Sequence, residues 1–276
     1  MPDQAELIRS RIDREDRAFC AREGITDLPP AAMRFRVIGD SSVEEFFQGG
    51  ERTREALEAA LRDAGRPIES FRRALDFGCG CGRVVRAFRR HAAFLELDAT
   101  DVDAAAIAWC RRHLPIARFS VNDGAPRLPY ADAQFDLVWA ISVFTHLDED
   151  RQFAWLTELC RILRPGGLLL ATVYGRPSWQ ESSEFWRHQP EEFVRAVEAR
   201  GFHYANTGAD DSIFPDTFPD WYQMTWHMRD YVEREWARTF DIRRYLPQGM
   251  LGEQDLIVAE KPFASEAMKT AESRHS

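Results

Sequence analysis

Through the middle of the chain, short apolar runs alternate with segments whose apolar residues recur at helical spacing. ALDF leads into RVVRAFRRH, FLELDAT into AAAIAWCRRHL, ARFSV through a loop into FDLVWAISV, and RQFAWLTELCRIL into GLLLATVY. Strand, helix, strand, helix predicts parallel pairing, because parallel neighbours need a long crossover that a tight turn cannot supply. Val84, Val85 and Phe88 share a face of the first helix, and Phe153, Leu156, Leu159, Cys160 and Leu163 share one of a later helix, so both are expected to pack on a sheet. The pattern ends differently. FDIRRYL at 240–246, a turn with Gly249 and Gly252, and QDLIVAEKP are too closely joined for a crossover and predict an antiparallel hairpin at the sheet edge.

Two stretches fall outside this rhythm. Residues 1–72 hold a charged helix candidate at Gln4–Arg22, a break at Pro29-Pro30, and a second helix at Glu51–Ala64 closed by Gly65 and Pro67; they are expected to form an N-terminal cap. Residues 176–239 are longer than an ordinary crossover and rich in aromatic residues, with helices expected near 190–200 and 228–239, which makes them a candidate lid inserted into a domain spanning 73–260. Residues 261–276 read as a tail.

With 45% hydrophobic and 29% charged residues, the 276-residue chain can bury a substantial core. Its net charge of -9 argues against a nucleic-acid partner, which needs concentrated positive potential. The charged start MPDQAELIRSRIDRED lacks the apolar core of a signal peptide, and no run approaches the roughly 18 apolar residues of a membrane span, so a cytoplasmic protein without membrane contact is expected. The cysteines Cys20, Cys79, Cys81, Cys110 and Cys160 are scattered without a CxxC pair and suggest neither a disulfide framework nor a metal site.

The chemistry concentrates in ALDFGCGCGRVV, where a strand runs through Gly78, Gly80 and Gly82 into a helix. Such a bend lets backbone approach a ligand closely. A dinucleotide fold wants GxGxxG with a pyrophosphate at the helix N-terminus; here the third-glycine position is Arg83, the spacing is GxGxG, and Asp76 precedes the bend. A carboxylate there repels a pyrophosphate and suits an ammonium group. After the second strand comes Asp101, placed to accept both hydroxyl hydrogens of a ribose, followed by Asp103 as a helix N-cap.

These residues resemble the class I S-adenosylmethionine-dependent methyltransferases: LDFGCGCGR as the glycine motif, TDVD as the ribose acid, FDLVWAISVFTHL as the fourth strand and its loop, and LRPGGLLLATVYG as the fifth, over about residues 35–260. The resemblance implies an α/β fold with a doubly wound, Rossmann-like seven-stranded sheet and S-adenosyl-L-methionine as cofactor. It implies that Asp76, Phe77, Gly78, Cys79, Gly80 and Gly82 form the cofactor loop, with Asp76, Gly78 and Gly80 at the methionine end. Asp101 would hold the ribose, Val102 pack on adenine, Asn122 or Asp123 lie near the adenine amino group, and Ala140 and Ser142 border the sulfonium.

For the acceptor, Trp221, Tyr222 and Trp226 offer rigid apolar walls with polar edges, and a small organic molecule is expected. His146, after the fourth strand, and His227, in WYQMTWHM, are the candidate bases; each can equally be a hydrogen-bonded packing residue. The histidines, and SVFT where many nitrogen methylators of nucleic acid or protein carry Asn-Pro-Pro-aromatic, favour an oxygen acceptor. An amine or peptide N-methyltransferase, a nicotinamide-dependent oxidoreductase, and a non-catalytic cofactor binder remain as alternatives. The aromatic segment also suits a homo-oligomer interface.

Overall fold

The computed structural model describes residues 4–175, 189–205 and 223–263. Strands β1 (Arg73–Phe77), β2 (Glu96–Asp101), β3 (Arg118–Val121), β4 (Phe135–Ala140), β5 (Leu163–Val173), β8 (Asp241–Met250) and β9 (Gln254–Glu260) form one sheet in the order β3-β2-β1-β4-β5-β9-β8. The first five pair in parallel, and β9 runs antiparallel to both β5 and β8. The doubly wound sheet and its terminal hairpin follow from the apolar pattern. Strand order reverses between β1 and β4, and at such a point the carboxyl ends of the two strands diverge and leave a crevice.

Successive residues of the central strands enter opposite cores, as the two-residue period of a strand requires. Ala74, Leu137, Trp139, Leu168 and Leu170 pack with Leu57, Val85, Phe88 and Ile107 on one face. Leu75, Val138, Leu169 and Ala171 pack with Trp155, Leu156 and Leu159 on the other. Helices α4 (Arg83–Ala87) and α5 (Ala104–His113) supply the first face with part of α3 (Val43–Asp63), and α6 (Glu149–Ile162) supplies the second.

The N-terminal residues form α1 (Gln4–Glu23), α2 (Ala31–Ile38) and α3. Helix α3 starts eight residues before the expected Glu51. Ser42 caps it, its Oγ accepting from the Glu45 amide at 3.2 Å, and the Ser-x-x-Glu spacing of a capping box outweighs the Gly49-Gly50 pair inside the helix. Those glycines have a packing reason: a Cβ on Gly50 would lie 2.6 Å from the Arg83 carbonyl oxygen. Arg34 of α2 is fully buried, donating to both Asp16 carboxylate oxygens at 2.8 Å and to the carbonyls of Pro29 and Ser41, and so ties the cap together.

Several boundaries depart from the sequence pattern. The helix expected over RVVRAFRRH shortens to α4 and continues as a 3-10 turn at Phe88–His91. Within 176–239, α7 (Glu191–Arg200) and α8 (Arg229–Glu235) fall near the expected helices. A strand pair not foreseen, β6 (Phe202–Ala205) with β7 (Met224–His227), joins antiparallel, and Trp226 of β7 bridges to Tyr174 beyond β5. The partners in this pair lie far apart in sequence, so no local signal marks them as paired.

Candidate functional site

A cavity of about 620 Å³ opens at the diverging carboxyl ends of β1 and β4. Along the sheet order, its wall runs from the loop after β3, past β2 and β1, to the loop after β4.

The glycine loop forms the floor. Gly78, Gly80 and Gly82 have φ of 83°, 51° and 81°, in the left-handed region that favours glycine. A Cβ on Gly78 would meet Val143 Cγ2 at 2.3 Å and one on Gly80 would meet Val37 Cγ2 at 2.5 Å. Gly82 lies behind the loop rather than in the cavity wall, where a Cβ would strike Leu114 Cδ1 at 2.4 Å. It therefore serves the close helix packing that the third glycine of a dinucleotide loop provides, although the spacing differs.

Asp76 lines this floor at 2% exposure, and its Oδ2 has no hydrogen-bond partner. Burial pushes its carboxyl up to about 7, opposed by the neighbouring Trp139 indole and less by Arg83, with Asp101 adding to the rise. A buried carboxylate oxygen without a donor costs free energy unless a ligand supplies one. Asp101 is held differently: Oδ2 accepts from the Gly80 amide at 2.7 Å and Oδ1 from the Asp103 amide at 2.8 Å. These bonds fix the carboxylate while each oxygen keeps a second lone pair for a diol. Burial raises the Asp101 pKa against the pull of those two amides.

Asp103 caps α5, accepting from the Ala105 and Ala106 amides, and pairs with Arg36 of α2. Through that pair and the Val37–Gly80 approach, the cap reaches the cavity, and Met33, Arg36 and Val37 line it. Asn122 and Asp123 line the end beyond β3, each with a side-chain oxygen accepting from the amide two residues on. Val102 is 44% exposed on the rim. No helix forms between β3 and β4.

Beyond β4, Ser142 adopts φ 58°, a strained value for a residue with a side chain. The Thr172 hydroxyl accepts from its amide at 2.8 Å, and its Oγ bonds with the Gln254 side chain, so β5 and β9 hold the bend in place. His146 lines the cavity at 8% exposure, and burial pushes its imidazole down to about 4. Its Nδ1 lies 2.9 Å from the Gln223 carbonyl oxygen, an acceptor, so Nδ1 carries the proton and Nε2 the lone pair.

Besides Gly82, three more sequence-predicted residues lie away from the cavity. His227 is fully buried in the second core, and burial pushes its imidazole down to about 3. Gln152 donates to the carbonyls of Phe144 and Leu147, which leaves its Oε1 to accept from His227 Nε2 at 2.8 Å. His227 thus braces the loop that carries His146 and does not reach the cavity as a base. Trp226 packs behind that loop with Val197 and Tyr174 instead of forming an acceptor wall. Ala140 is wholly buried in β4 between its neighbours. Trp221 and Tyr222 lie outside the described residues.

Phe77, Cys79, Asp101, Val102, Asn122, Asp123 and Ser142 do line the cavity, together with Asp76, Gly78 and Gly80. The pattern missed Arg36, Arg83, Arg151 and Trp155. The last two were within reach, since Leu147, Arg151 and Trp155 recur at the four-residue spacing of one helix face. Arg83, read only as an absent glycine, is half-buried beside the bend and donates to Thr53 Oγ1 at 3.2 Å. Among the described residues, no group of three or more His, Cys, Asp or Glu is arranged to hold a metal, and no helix is long and apolar enough to cross a membrane.

A doubly wound sheet with a cavity at its reversal point, floored by a left-handed glycine bend and edged by buried Asp76 and half-buried Asp101, defines a nucleoside-binding α/β protein of the Rossmann-like type. Residues 74–167 match the family model described as a methyltransferase domain. Over 136 residues the chain is 35% identical to malonyl-[acyl-carrier protein] O-methyltransferase of Enterobacter lignolyticus, covering 49% of this chain and 50% of that protein. A fatty-acid O-methyltransferase of Mycolicibacterium smegmatis is 34% identical over 40% of this chain and 42% of its own length. Among solved structures, a glycopeptide N-methyltransferase complexed with S-adenosylmethionine matches with a TM-score of 0.52 at 20% identity, over 76% of this chain and 87% of that one, which speaks to the fold alone. These matches support a class I S-adenosylmethionine-dependent methyltransferase domain, with the family model confined to residues 74–167. The chain spans about half the length of the curated relatives it matches.

Proposed function

We propose that the protein transfers a methyl group from S-adenosyl-L-methionine to an oxygen of a small organic acceptor. The observation that carries the reading is the buried, unpartnered Oδ2 of Asp76 beside the glycine bend, which fits the ammonium of an amino-acid tail and opposes a diphosphate. Asp101 would bind the ribose, while Val102, Asn122 and Asp123 lie at the adenine end. When bound, the cofactor supplies a methyl carbon on a sulfonium, which leaves as a neutral thioether.

The protein's own work is alignment and exclusion of water, and orientation alone lowers such a barrier by about 7–11 kcal/mol. The Ser142 bend and the His146 loop form the wall nearest β4, where the acceptor would meet the methyl group. His146 is neutral and weakly basic, suited to orienting an acceptor oxygen more than to removing a firmly held proton. The O-methyltransferase names of the two sequence relatives support oxygen over nitrogen.

Calorimetry with S-adenosylhomocysteine and with NADH tests the cofactor reading. Binding of the first and not the second is expected; the reverse would replace this function with the oxidoreductase alternative.

A further inference from the structure

The carboxylates lining the cavity are confined to one side, with Arg36 and Arg83 among them. Asp76, Asp101, Asp103 and Asp123 all stand on the β1–β3 side, which the cofactor would occupy. Past β4, the described wall turns to Val143, His146, Leu147, Arg151 and Trp155, with no carboxylate. The charged side chain lining that wall is Arg151, and Asp148 beside it takes one of its donors.

The geometry of α6 makes Arg151 more than a stray cation. Leu147 immediately precedes the N-cap Asp148, and Arg151 and Trp155 follow it at four-residue spacing, so all three line the cavity on one side. The Trp155 ring is fixed by packing 4.7 Å from the Phe77 ring. Arg151 spends one Nη1 hydrogen on Asp148, the N-cap of its own helix, and a guanidinium has five N–H donors in a planar fork that matches a carboxylate. The stripe therefore offers a cation flanked by apolar surface. Base chemistry is limited on this wall, because His227 lies in the core and burial leaves His146, whose Nε2 carries the lone pair, a weak base.

From this arrangement we infer that the acceptor is a carboxylic acid, bound as its carboxylate by Arg151 with its carbon chain on Leu147 and Trp155, and released as a methyl ester. The inference rests on the methyl-transfer reading above. In the step, a carboxylate lone pair forms the new O–C bond while the C–S bond breaks and its electron pair goes to sulfur. Carboxylate and sulfonium charges cancel to give neutral ester and thioether, with no proton to remove, which is consistent with a wall that lacks a strong base.

The test uses the full chain, methyl-labelled S-adenosylmethionine and matched acceptors: octanoate, benzoate and succinate against octanol, phenol and octylamine. Alkali-labile methyl incorporation is expected with at least one carboxylate and not with the alcohol, phenol or amine. Calorimetric binding of that carboxylate to protein saturated with S-adenosylhomocysteine should weaken at least tenfold in Arg151→Gln, recover in part in Arg151→Lys, and leave S-adenosylhomocysteine affinity within twofold. Preferred methylation of phenol, alcohol or amine, or no carboxylate methylated or bound by protein that binds S-adenosylhomocysteine, would overturn the inference alone. So would an Arg151→Gln variant that loses cofactor affinity, since Arg151 would then hold the cofactor's own carboxylate. Failure of the wild type to bind S-adenosylhomocysteine would instead remove the underlying reading, and the inference with it.

Discussion

The two sides of the cavity are built on different principles. The β1–β3 side is built mainly from three short segments, 76–81, 101–103 and 122–124, held by turns and short bonds within and between them, with Met33, Arg36 and Val37 of α2 added. The β4 side depends on distant segments. The 142–147 loop is held by Thr172, Gln254 and Gln152 and by β7, where Thr225 donates from its amide to the Thr145 carbonyl and from Oγ1 to the Leu147 carbonyl, both at 2.8 Å. A nucleoside site can thus be nearly rigid and local, while the acceptor wall is tuned through remote supports.

The sharpest way to break this contrast is at Gly78. Gly78→Ala should cost about 1–3 kcal/mol from crowding against Val143 and a further ~1–2 kcal/mol from the left-handed backbone, read as a fall in melting temperature and loss of S-adenosylhomocysteine binding. Adding Val143→Ala should restore the crowding part only. Next in size, Asp101→Ala should weaken S-adenosylhomocysteine by about 1–3 kcal/mol in calorimetry, the scale of lost charge-assisted hydrogen bonds; unchanged affinity would remove Asp101 from the site.

The pH dependence sharpens the role of Asp76. Its folded pKa, about 7, lies above the unfolded carboxylate value, so the native state binds the extra proton in between. This group's contribution to stability therefore declines as pH rises from about 4 to 7 and is flat above. Ligand affinity runs the other way, because the ammonium prefers the ionised carboxylate. It should climb toward about tenfold per pH unit below 7 and level off above, and Asp76→Asn should flatten both profiles. The smallest effect belongs to the remote supports. Gln254→Ala, which removes a hydrogen bond that steadies the Ser142 bend, should cost about 0.5–1.5 kcal/mol. In a Ser142→Gly background, where φ 58° is no longer strained, the same change should cost less, and a double-mutant cycle reads the difference.

The same contrast explains what the sequence made legible. Asp76, Asp101 and the glycines sit in unbroken motifs with fixed spacing, and the alternation of strands and helices placed them at the carboxyl ends of a parallel sheet. His227 and Trp226 deceived because proximity to other aromatic residues in sequence does not say which side of a loop they support. The β6–β7 pairing that buries them joins segments separated by residues 206–223. Arg36 reaches the site only through the packing of α2 on the glycine loop, a tertiary contact with no periodic trace.

The most direct test compares two ligands on two proteins. S-adenosylhomocysteine carries the amino-acid tail and methylthioadenosine does not, so Asp76→Asn should weaken the first at least tenfold in calorimetry at pH 8 and leave the second within twofold. Equal losses for both, or none for either, would contradict the assignment of the buried carboxylate to the ammonium group.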